Sequence, residues 1–566
     1  TWSLEYDAND EVIAETTFDN IRTEYEYSLA GQLVKHRQLN ENKQVRYSTV
    51  FKRDLLGQLL EQYIVDHHDL TEKKRTRYDY DLAGQLLQAR NADSHVKLSY
   101  DEVGQLSKEQ LIAHWFNEAT QEHTHRSHTL THLYDELGNR IETTLPDGRK
   151  LKTMYYGSGH AWNYALEDSE GTHEISSLKR DDLHQEIERT QGQLHSQFKL
   201  DRMGRLTEQS VAWENAPTQK RLERLYDYDK AGQLKEILDK RYLYQSNSHE
   251  YLDNNALVIG NGHTRAWQRK QTYQYDVLSR LTGSELTTQG QSENFIQIRE
   301  QFAFDPASNI LPIASAQENN KARLEDNRVK HLEQEHQTVD YEYDDLGRVT
   351  QKRIQIKDKN AFGHIQQNLS TNHLLNQFST RQIDLDWDEQ NQLSASTSTK
   401  PDGRGGQEII ETQYCYDPFG RRIAKQSQIY KKELVTQQVK LKTQPRIEEN
   451  RLIQNNLGTS NQLGSSMNLS LGGNGNISQP SALSRSISTP TTKTIHKEQL
   501  KLVQKQAVWN VWDGNRILQD YNGKHVFTTM YEADAFVPLA RLVWLEDKLT
   551  EAANDDTVPK VDIAKL

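Results

Sequence analysis

The chain has 566 residues, a formal net charge of −12 and a hydrophobic content of 34%. The negative charge disfavours a general nucleic-acid-binding role. Its one cysteine excludes an intramolecular disulfide framework and a multi-cysteine metal site, and no apolar run approaches the roughly 20 residues that cross a bilayer as a helix.

The aromatic residues argue against disorder in spite of the low apolar content. The chain contains 26 Tyr, 9 Trp and 12 Phe, and many tyrosines belong to one recurring motif, Tyr-x-Tyr-Asp-x-x-Gly. The full motif is carried by Tyr78, Tyr80, Asp81 and Gly84; by Tyr226, Tyr228, Asp229 and Gly232; by Tyr341, Tyr343, Asp344 and Gly347; and by Tyr414, Tyr416, Asp417 and Gly420. Such self-similarity is typical of a repeat array, which can exceed the usual domain length.

Each copy of the motif predicts one β-hairpin. Tyr-x-Tyr alternates with the period of a strand and uses β-favouring residues. Asp suits the first position of a type I turn, and Gly suits the fourth position with a positive φ. The returning strand begins at the apolar residue two places later, such as Leu86 or Leu234. We therefore expect a hairpin with a four-residue connection in each copy.

The turn position of the motif can be followed along most of the chain. It recurs at Gly31, Gly57, Gly84, Gly104, Gly138, His184, Gly204, Gly232, Ser279, Ser308, Gly347, Asn391 and Gly420. An Asp stands three residues before each of these positions except the first, where Ser28 replaces it. Asn391 tolerates left-handed geometry well. His184, Ser279 and Ser308 are poorer substitutes for Gly, and we expect a different turn in those copies.

This pattern divides the chain into three parts. Residues 1–424 read as one all-β array of hairpins, because a helix-period apolar stripe is hard to find there. The pattern breaks over residues 425–506, which are rich in Ser, Asn, Gly and Gln and read as a loop or partly disordered insertion. A capping or cargo-contacting loop is the alternative. Residues 507–566 restore the alternation and end in a charged tail.

No motif predicts catalysis, a cofactor or a metal ion. The best metal candidates are His123, His125, His128 and His132, but a strand would place the first two on the face opposite to the last two, and the spacing is not typical of zinc. Cys415 lacks a Cys-His motif. The repeated Asp residues are explained by hydrogen bonding to their own turns.

The repeats resemble the tyrosine-aspartate (YD) repeat of Rhs proteins, which teneurins and the C component of Tc toxin complexes share. Longer stretches are similar to the bacterial Rhs core: Leu145-Pro146-Asp147-Gly148-Arg149, Tyr155-Tyr156-Gly157-Ser158-Gly159-His160, Leu183-His184-Gln185-Glu186, Arg189-Thr190-Gln191-Gly192, residues 416–425, Trp512-Asp513-Gly514, Tyr531-Glu532 and Phe536-Val537-Pro538-Leu539-Ala540-Arg541. The resemblance covers nearly the whole chain except residues 425–506.

The resemblance implies a long β-hairpin ribbon that spirals into part of a hollow shell around a toxic C-terminal domain. Proteins of this family are typically type VI secretion effectors, loaded on the VgrG spike through an N-terminal PAAR-type module, and an aspartyl self-cleavage site near the C-terminal end of the shell frees the toxin. We expect the spike-docking module, further Rhs core segments, the cleavage site and the toxin to lie outside this chain, which looks like a piece of a longer protein.

The leading hypothesis is therefore a structural shell that encloses a cytotoxic polypeptide and has no reactive centre of its own. The protein would be made in the bacterial cytoplasm and then secreted or injected into a target cell. The alternative is a surface adhesion or carbohydrate-binding module, since rows of tyrosine rings can stack on sugars. An enzymatic role for the chain is a third and weaker hypothesis.

Overall fold

The computed structural model describes most of the chain. The described residues are 2–117, 122–244, 257–259, 264–289, 296–305, 308–311, 322–325, 327–333, 337–356, 380–401, 406–440, 492–533 and 535–545. Every helix or strand in them is a β-strand, so the all-β prediction is confirmed. The described residues contain no helix that is long and apolar enough to span a membrane.

The described strands number 38 and are named in chain order. They are β1 (Ser3–Tyr6), β2 (Val12–Thr16), β3 (Arg22–Tyr27), β4 (Leu33–Leu39), β5 (Val45–Arg53), β6 (Leu59–Asp66), β7 (Thr71–Tyr80), β8 (Leu86–Arg90), β9 (Ser94–Tyr100), β10 (Leu106–Asn117), β11 (Glu122–Tyr134), β12 (Arg140–Thr144), β13 (Lys150–Tyr155), β14 (Ala161–Asp168), β15 (Gly171–Arg180), β16 (Glu186–Gln191), β17 (Leu194–Leu200), β18 (Leu206–Trp213), β19 (Ala216–Tyr228), β20 (Leu234–Tyr244), β21 (Leu257–Ile259), β22 (Thr264–Tyr275), β23 (Leu281–Gln289), β24 (Ile296–Gln301), β25 (Ala303–Phe304), β26 (Ile310–Leu311), β27 (Ala322–Glu325), β28 (Arg328–Glu333), β29 (Gln337–Tyr343), β30 (Val349–Ile356), β31 (Thr380–Trp387), β32 (Leu393–Pro401), β33 (Gln407–Tyr416), β34 (Arg422–Lys440), β35 (Thr492–Asp513), β36 (Arg516–Tyr521), β37 (His525–Tyr531) and β38 (Pro538–Leu545).

These strands form three sheets. Strands β1 to β24 make a 24-stranded sheet, β25 and β26 make a small pair, and β27 to β38 make a 12-stranded sheet. The pairing in the first sheet is antiparallel between consecutive strands, apart from β20, which pairs with β22. A meander of this kind needs only short connections, and these alternate between the two edges of the sheet.

This alternation separates the turns into two classes. The Asp turns of the motif, with Gly or a substitute at the left-handed position, join β1 to β2, β5 to β6, β7 to β8, β9 to β10, β11 to β12, β15 to β16, β17 to β18, β19 to β20 and β22 to β23. Turns of the same hydrogen-bonding pattern, with Ser28 or Tyr156 in place of the Asp, join β3 to β4 and β13 to β14. They therefore all lie on one edge of the sheet, which we call the tip edge. The remaining connections of this sheet lie on the opposite edge. Long connections, such as those after β20 and β23, also start from the opposite edge.

The largest apolar core lies between the two large sheets. Val96 and Leu111 of the 24-stranded sheet pack in one cluster with Ile423, Trp509 and Val526 of the 12-stranded sheet. Ile423 and Val526 are completely buried. Burial of this size is stabilising because it removes large apolar side chains from water. The sole cysteine, Cys415, belongs to this same core.

The segment assigned above to an insertion is partly β-strand. Strand β34 runs through to Lys440 and β35 begins at Thr492, so both strands extend into residues 425–506. Sequence reasoning missed them because long polar side chains hide the alternation. The contacts divide the chain into two units, residues 1–431 with 502–566 and residues 432–501. Residues 441–491, which include most of the Ser/Asn/Gly-rich stretch, lie outside the described residues, as does Pro306.

Candidate functional site: the tip edge of the YD hairpins

The aspartate of each motif organises its own turn. In the copy at Asp81, the backbone N–H of Asp81 donates to the Gln85 carbonyl at 2.9 Å, and the N–H of Gly84 donates to the Asp81 carbonyl at 3.2 Å. The carboxylate Oδ1 of Asp81 accepts from the N–H groups of Ala83 and Gln85 at 2.9 and 2.8 Å. Three residues therefore lie between the hydrogen-bonded pair Asp81 and Gln85, instead of the four expected. The third of them, Gly84, forms a bulge and has a φ of +87°.

The other three full copies share this geometry. Asp229, Asp344 and Asp417 each accept two backbone N–H groups from residues two and four places later, at 2.8 to 3.0 Å. The residue after the Gly adds a side-chain contact in two of them. Arg348 and Arg421 donate Nε to the Oδ2 atoms of Asp344 and Asp417, each at 2.6 Å. The turn carboxylates are thus occupied by their own hairpins.

The expected change of turn at three positions is wrong. His184, Ser279 and Ser308 have φ values of +62°, +63° and +65° and donate the same backbone N–H to the carbonyl three residues earlier. The hydrogen bonds of the Asp side chain hold the turn whatever residue takes the left-handed position. Asn391 has a φ of +60°. In the first copy, the Ser28 hydroxyl replaces the carboxylate and accepts two N–H groups at 3.2 Å.

The second tyrosine of the motif ties each hairpin to the hairpin before it. The hydroxyl of Tyr80 donates to the carbonyl of Leu59, the first residue of β6, at 3.1 Å. Tyr228 donates in the same way to Leu206 at 2.9 Å. The equivalent distances are 2.9 Å from Tyr343 to Val329 and 3.0 Å from Tyr416 to Leu393. We call this contact the clasp.

Sequence reasoning missed members of the clasp that are not tyrosine. Arg53 Nε donates to Leu33 at 3.4 Å, Arg180 Nε to Ala161 at 3.2 Å, and Trp387 Nε1 to Val349 at 2.8 Å. The signal that could have found them is their position directly before the turn Asp. Any long side chain with an N–H or O–H donor at that position can satisfy the same carbonyl.

The first tyrosines of the motif have less uniform partners. Tyr226 donates to Gln209 at 3.3 Å, and the hydroxyl of Tyr414 lies 3.1 Å from that of Ser396. Lys352 lies 5.6 Å from the centre of the Tyr341 ring, within the range of a cation–π contact. Burial raises the pKa of Tyr78 to about 12, so this phenol stays protonated at neutral pH.

Adjacent turns on the tip edge also touch one another. The amide of Gln85 donates to the Gly104 carbonyl at 3.0 Å. A Cβ placed on Gly104 would lie 2.9 Å from Gln85 Nε2, and one on Gly138 would lie 2.9 Å from Gln105 Nε2. Glycine is needed here for two reasons, the positive φ and the close approach of the preceding turn.

The tip edge of the 12-stranded sheet is docked on the 24-stranded sheet. Leu346, which lies between Asp344 and Gly347 of one turn, is only 9% exposed and packs on Tyr47 and Ile64. The turn Asp388 pairs with Lys74, at 3.0 Å between Oδ2 and Nζ. Further contacts join Tyr416 to Asn91, at 3.0 Å, and Ala533 to Tyr164, also at 3.0 Å.

Charged side chains reinforce this contact inside the protein. Arg421 Nη2 donates to Glu109 at 2.7 Å, and both side chains are buried. Burial raises the pKa of Glu109, although the positive charge of Arg421 acts to lower it. Asp513 accepts two hydrogen bonds from Arg140, each at 2.7 Å. Burial acts to raise the pKa of Asp513, but Arg140 and Arg516 together lower it to about 2.

The histidine run is split between the two faces of β11. His128 and His132 are buried, whereas His125 is exposed and lies 2.8 Å from His114 between the two Nδ1 atoms. Burial lowers the pKa of His128 to about 3 and that of His132 to about 4. The side chain of His123 lies outside the described residues. In the described part of the chain, no three His, Cys, Asp or Glu side chains form a metal-binding group.

Sequence comparison identifies related toxins. The chain is 26% identical over 446 residues to double-stranded DNA deaminase toxin A of Burkholderia cenocepacia (strain H111), a match that covers 75% of this chain and 25% of that toxin. It is 30% identical over 217 residues to the toxin protein Tse5 of Pseudomonas aeruginosa, covering 37% of this chain and 15% of Tse5. The chain thus spans at most about a quarter of these relatives. No protein-family model matches it.

The solved structures that the chain matches include two that contain the Tc toxin component TccC3. The Photorhabdus luminescens Tc holotoxin pore matches 76% of this chain and 22% of its own chain, with 12% identity and a TM-score of 0.47. The TcdB2-TccC3-Cdc42 structure matches 97% of this chain and 25% of its own, with 10% identity and a TM-score of 0.48. The two sequence relatives are Rhs-type toxins, so the resemblance that the YD repeats indicate is confirmed, and the chain is a relative of the Rhs-type toxins.

Proposed function

We propose that the chain is a section of an Rhs-type shell that encloses the C-terminal toxin domain of a longer polypeptide until delivery. The observation that carries this proposal is the meander of the 24-stranded sheet, in which neighbouring hairpins are hydrogen-bonded along their strands and clasped at their turns. A wall made in this way has its backbone donors and acceptors paired along its length, as a barrier to another polypeptide requires.

We also propose that this section of the protein has no catalytic activity. The aspartates of the motif accept hydrogen bonds from their own turns, and the hydroxyl of the second tyrosine donates to a backbone carbonyl. Cys415 is buried, and its burial raises the pKa of the thiol, which disfavours a nucleophilic thiolate. These groups are therefore committed to the fold, and the toxic chemistry belongs to the enclosed domain.

The partners follow from the same proposal. The shell would contact the enclosed toxin polypeptide and the remaining Rhs core segments, and a PAAR-type module would load it on a type VI secretion spike. The protein would be made in the bacterial cytoplasm and then injected into a target cell. The relation to two toxins supports this route, since both are Rhs-type proteins.

Limited proteolysis of the whole parent polypeptide tests the enclosure. We expect its C-terminal domain to survive native digestion as a fragment that stays with the shell, and to be digested rapidly once urea opens the shell. The matched control is the C-terminal domain expressed alone. Equal digestion rates for the enclosed and isolated domains would refute the proposal. Electron microscopy of the same protein should show a closed hollow particle.

One observation favours the carbohydrate-binding alternative. A cavity of about 570 Å³ is lined by His36, Phe51, Tyr63 and Tyr78 of the large sheet and by turn residues such as Gln392. Aromatic rings beside amide groups are a composition that suits a sugar. A glycan array with the 566-residue chain tests this alternative, and saturable binding to one glycan class that is lost in Phe51→Ala would favour it over enclosure.

A further inference from the structure

The 24-stranded sheet has an unexplained row of apolar side chains on its tip edge. The two residues between the turn Asp and the left-handed position project beyond the hairpin, and we call them tip residues. Many of them are large, apolar and exposed, and Leu29, Leu82 and Val277 reach 112%, 108% and 99% exposure. Leu55, Leu183 and Met203 occupy the same place in other copies.

The turn does not require apolar residues at these positions. The middle of a type I turn accepts most residue types, and the copy at Asp229 has Lys230 and Ala231 there. Scattered exposed apolar residues need no explanation, but these recur at one place in a repeat. Since the turns follow one another every second strand, adjacent tips lie about 10 Å apart along a single edge.

The 12-stranded sheet shows what covers the same position. Leu346 is its equivalent tip residue, and it is buried on Tyr47 and Ile64 of the 24-stranded sheet. The neighbouring tip residues Glu389 and Pro418 line the cavity against β4 to β7. In this chain, therefore, the tip edge of a later sheet is seated on an earlier sheet of the same repeat type.

We propose that the exposed tip edge of the 24-stranded sheet docks on another YD-repeat sheet, supplied by the part of the parent polypeptide that precedes this chain. Within the chain, the turns of the later sheet pack on the sheet that comes before it in sequence. By the same order, the sheet that receives the turns of the 24-stranded sheet comes from the segment upstream of it. The matched region is at most about a quarter of each relative, so a parent polypeptide of their size has enough further residues to supply such a sheet. The inference rests on the proposed shell function and names the contact that joins its layers.

Thiol labelling tests this docking, because the native cysteine is buried and gives little background. The variants are Leu82→Cys and Leu183→Cys, each made in the 566-residue chain and in the whole parent polypeptide. The matched control is Leu70→Cys, which replaces a residue that is 76% exposed on the opposite edge, between β6 and β7. We expect maleimide to label both tip cysteines at least about tenfold more slowly in the parent, while Leu70→Cys changes little.

A cysteine-to-lysine cross-linker on the tip cysteines of the parent then locates the partner sheet. We expect cross-links to lysines upstream of residue 1 of this chain. Unchanged labelling in the parent, protection that extends to Leu70→Cys, or cross-links to downstream lysines would each overturn the proposal. So would concentration-dependent protection in the 566-residue chain alone, which would identify a second copy as the occupant, or protection by phosphatidylglycerol vesicles, which would identify a lipid surface.

Failure of this inference can be told from failure of the shell function. Tip protection reports contact between sheets and does not depend on a guest. If the tips are protected while the C-terminal domain is digested freely, the docking stands and the enclosure is refuted. If the domain is protected while the tips stay reactive, the enclosure stands and the docking is refuted.

Discussion

Substitution of the turn glycines separates the two reasons for which glycine is needed. Gly104 has a φ of +90°, and a Cβ there would lie 2.9 Å from the Gln85 amide that donates to the Gly104 carbonyl. Gly148 has a φ of +86°, but a Cβ there would meet no atom within 4 Å. Gly104→Ala therefore adds a clash and a lost hydrogen bond, whereas Gly148→Ala adds backbone strain alone.

The expected magnitudes follow from these contacts. The left-handed conformation costs an L-residue about 1–2 kcal/mol, and replacing Gly by Ala returns about 0.4–1 kcal/mol by restricting the unfolded chain. Gly148→Ala should therefore lower the free energy of unfolding by about 0.5–1 kcal/mol. Loss of the Gln85 hydrogen bond adds about 1 kcal/mol, so Gly104→Ala should cost about 2 kcal/mol in total.

Native-state hydrogen exchange is the suitable assay, because a long repeat array need not unfold in two states. It reports the opening free energy of each hairpin separately. We expect faster exchange in the hairpins of β7–β8 and β9–β10 for Gly104→Ala, since Gln85 belongs to one and Gly104 to the other. Equal effects of the two substitutions would show that contact between adjacent turns contributes nothing and would refute the reasoning.

Three further predictions follow from the clasp, the turn and the buried histidines. Tyr228→Phe should lower the opening free energy of β17–β20 by about 1 kcal/mol, because the Leu206 carbonyl loses its donor; unchanged exchange there would show that water replaces the phenol at no cost. Ser279→Gly should raise the opening free energy of the β22–β23 hairpin, measured by hydrogen exchange, by about 0.5–1 kcal/mol, because Ser279 is held at a φ of +63°, and faster exchange there would contradict this. Since burial lowers the pKa of His128 to about 3 and of His132 to about 4, the unfolded chain binds their protons first, and stability should fall as the pH decreases from about 6.5 towards 4. Each histidine changes the free energy of unfolding by up to about 1.4 kcal/mol per pH unit. His132→Asn should therefore make the urea midpoint depend less steeply on pH, and an unchanged slope would count against a buried neutral imidazole at this position.

The local repeat could be predicted from the sequence because it depends on neighbouring residues. Tyr80, Asp81 and Gly84 determine a strand, a turn and a reversal within a few positions, and the all-β prediction is confirmed. The turns at His184 and Ser279 were mispredicted because residue preference at the left-handed position was given more weight than the Asp hydrogen bonds, which determine the turn.

The docking of one sheet on the other could not be predicted in this way. Glu109 and Arg421 are 312 residues apart in sequence, and Arg140 and Asp513 are 373 apart. Each of these side chains is an ordinary strand or turn residue in its own hairpin. Only the path of the whole meander brings them together, and no periodicity in a single sequence encodes that path.

The separation of the two edges has a consequence for how such a protein can change. In the 24-stranded sheet the turns of the motif recur along one border, and the long connections after β20, β30 and β34, the last of which is residues 441–491, depart from the opposite border of their sheets. Added or deleted amino acids at that second border leave the spacing of the glycine turns untouched. The architecture can therefore accept foreign segments there during evolution, and in the laboratory that border is the place to insert a fluorescent or affinity tag.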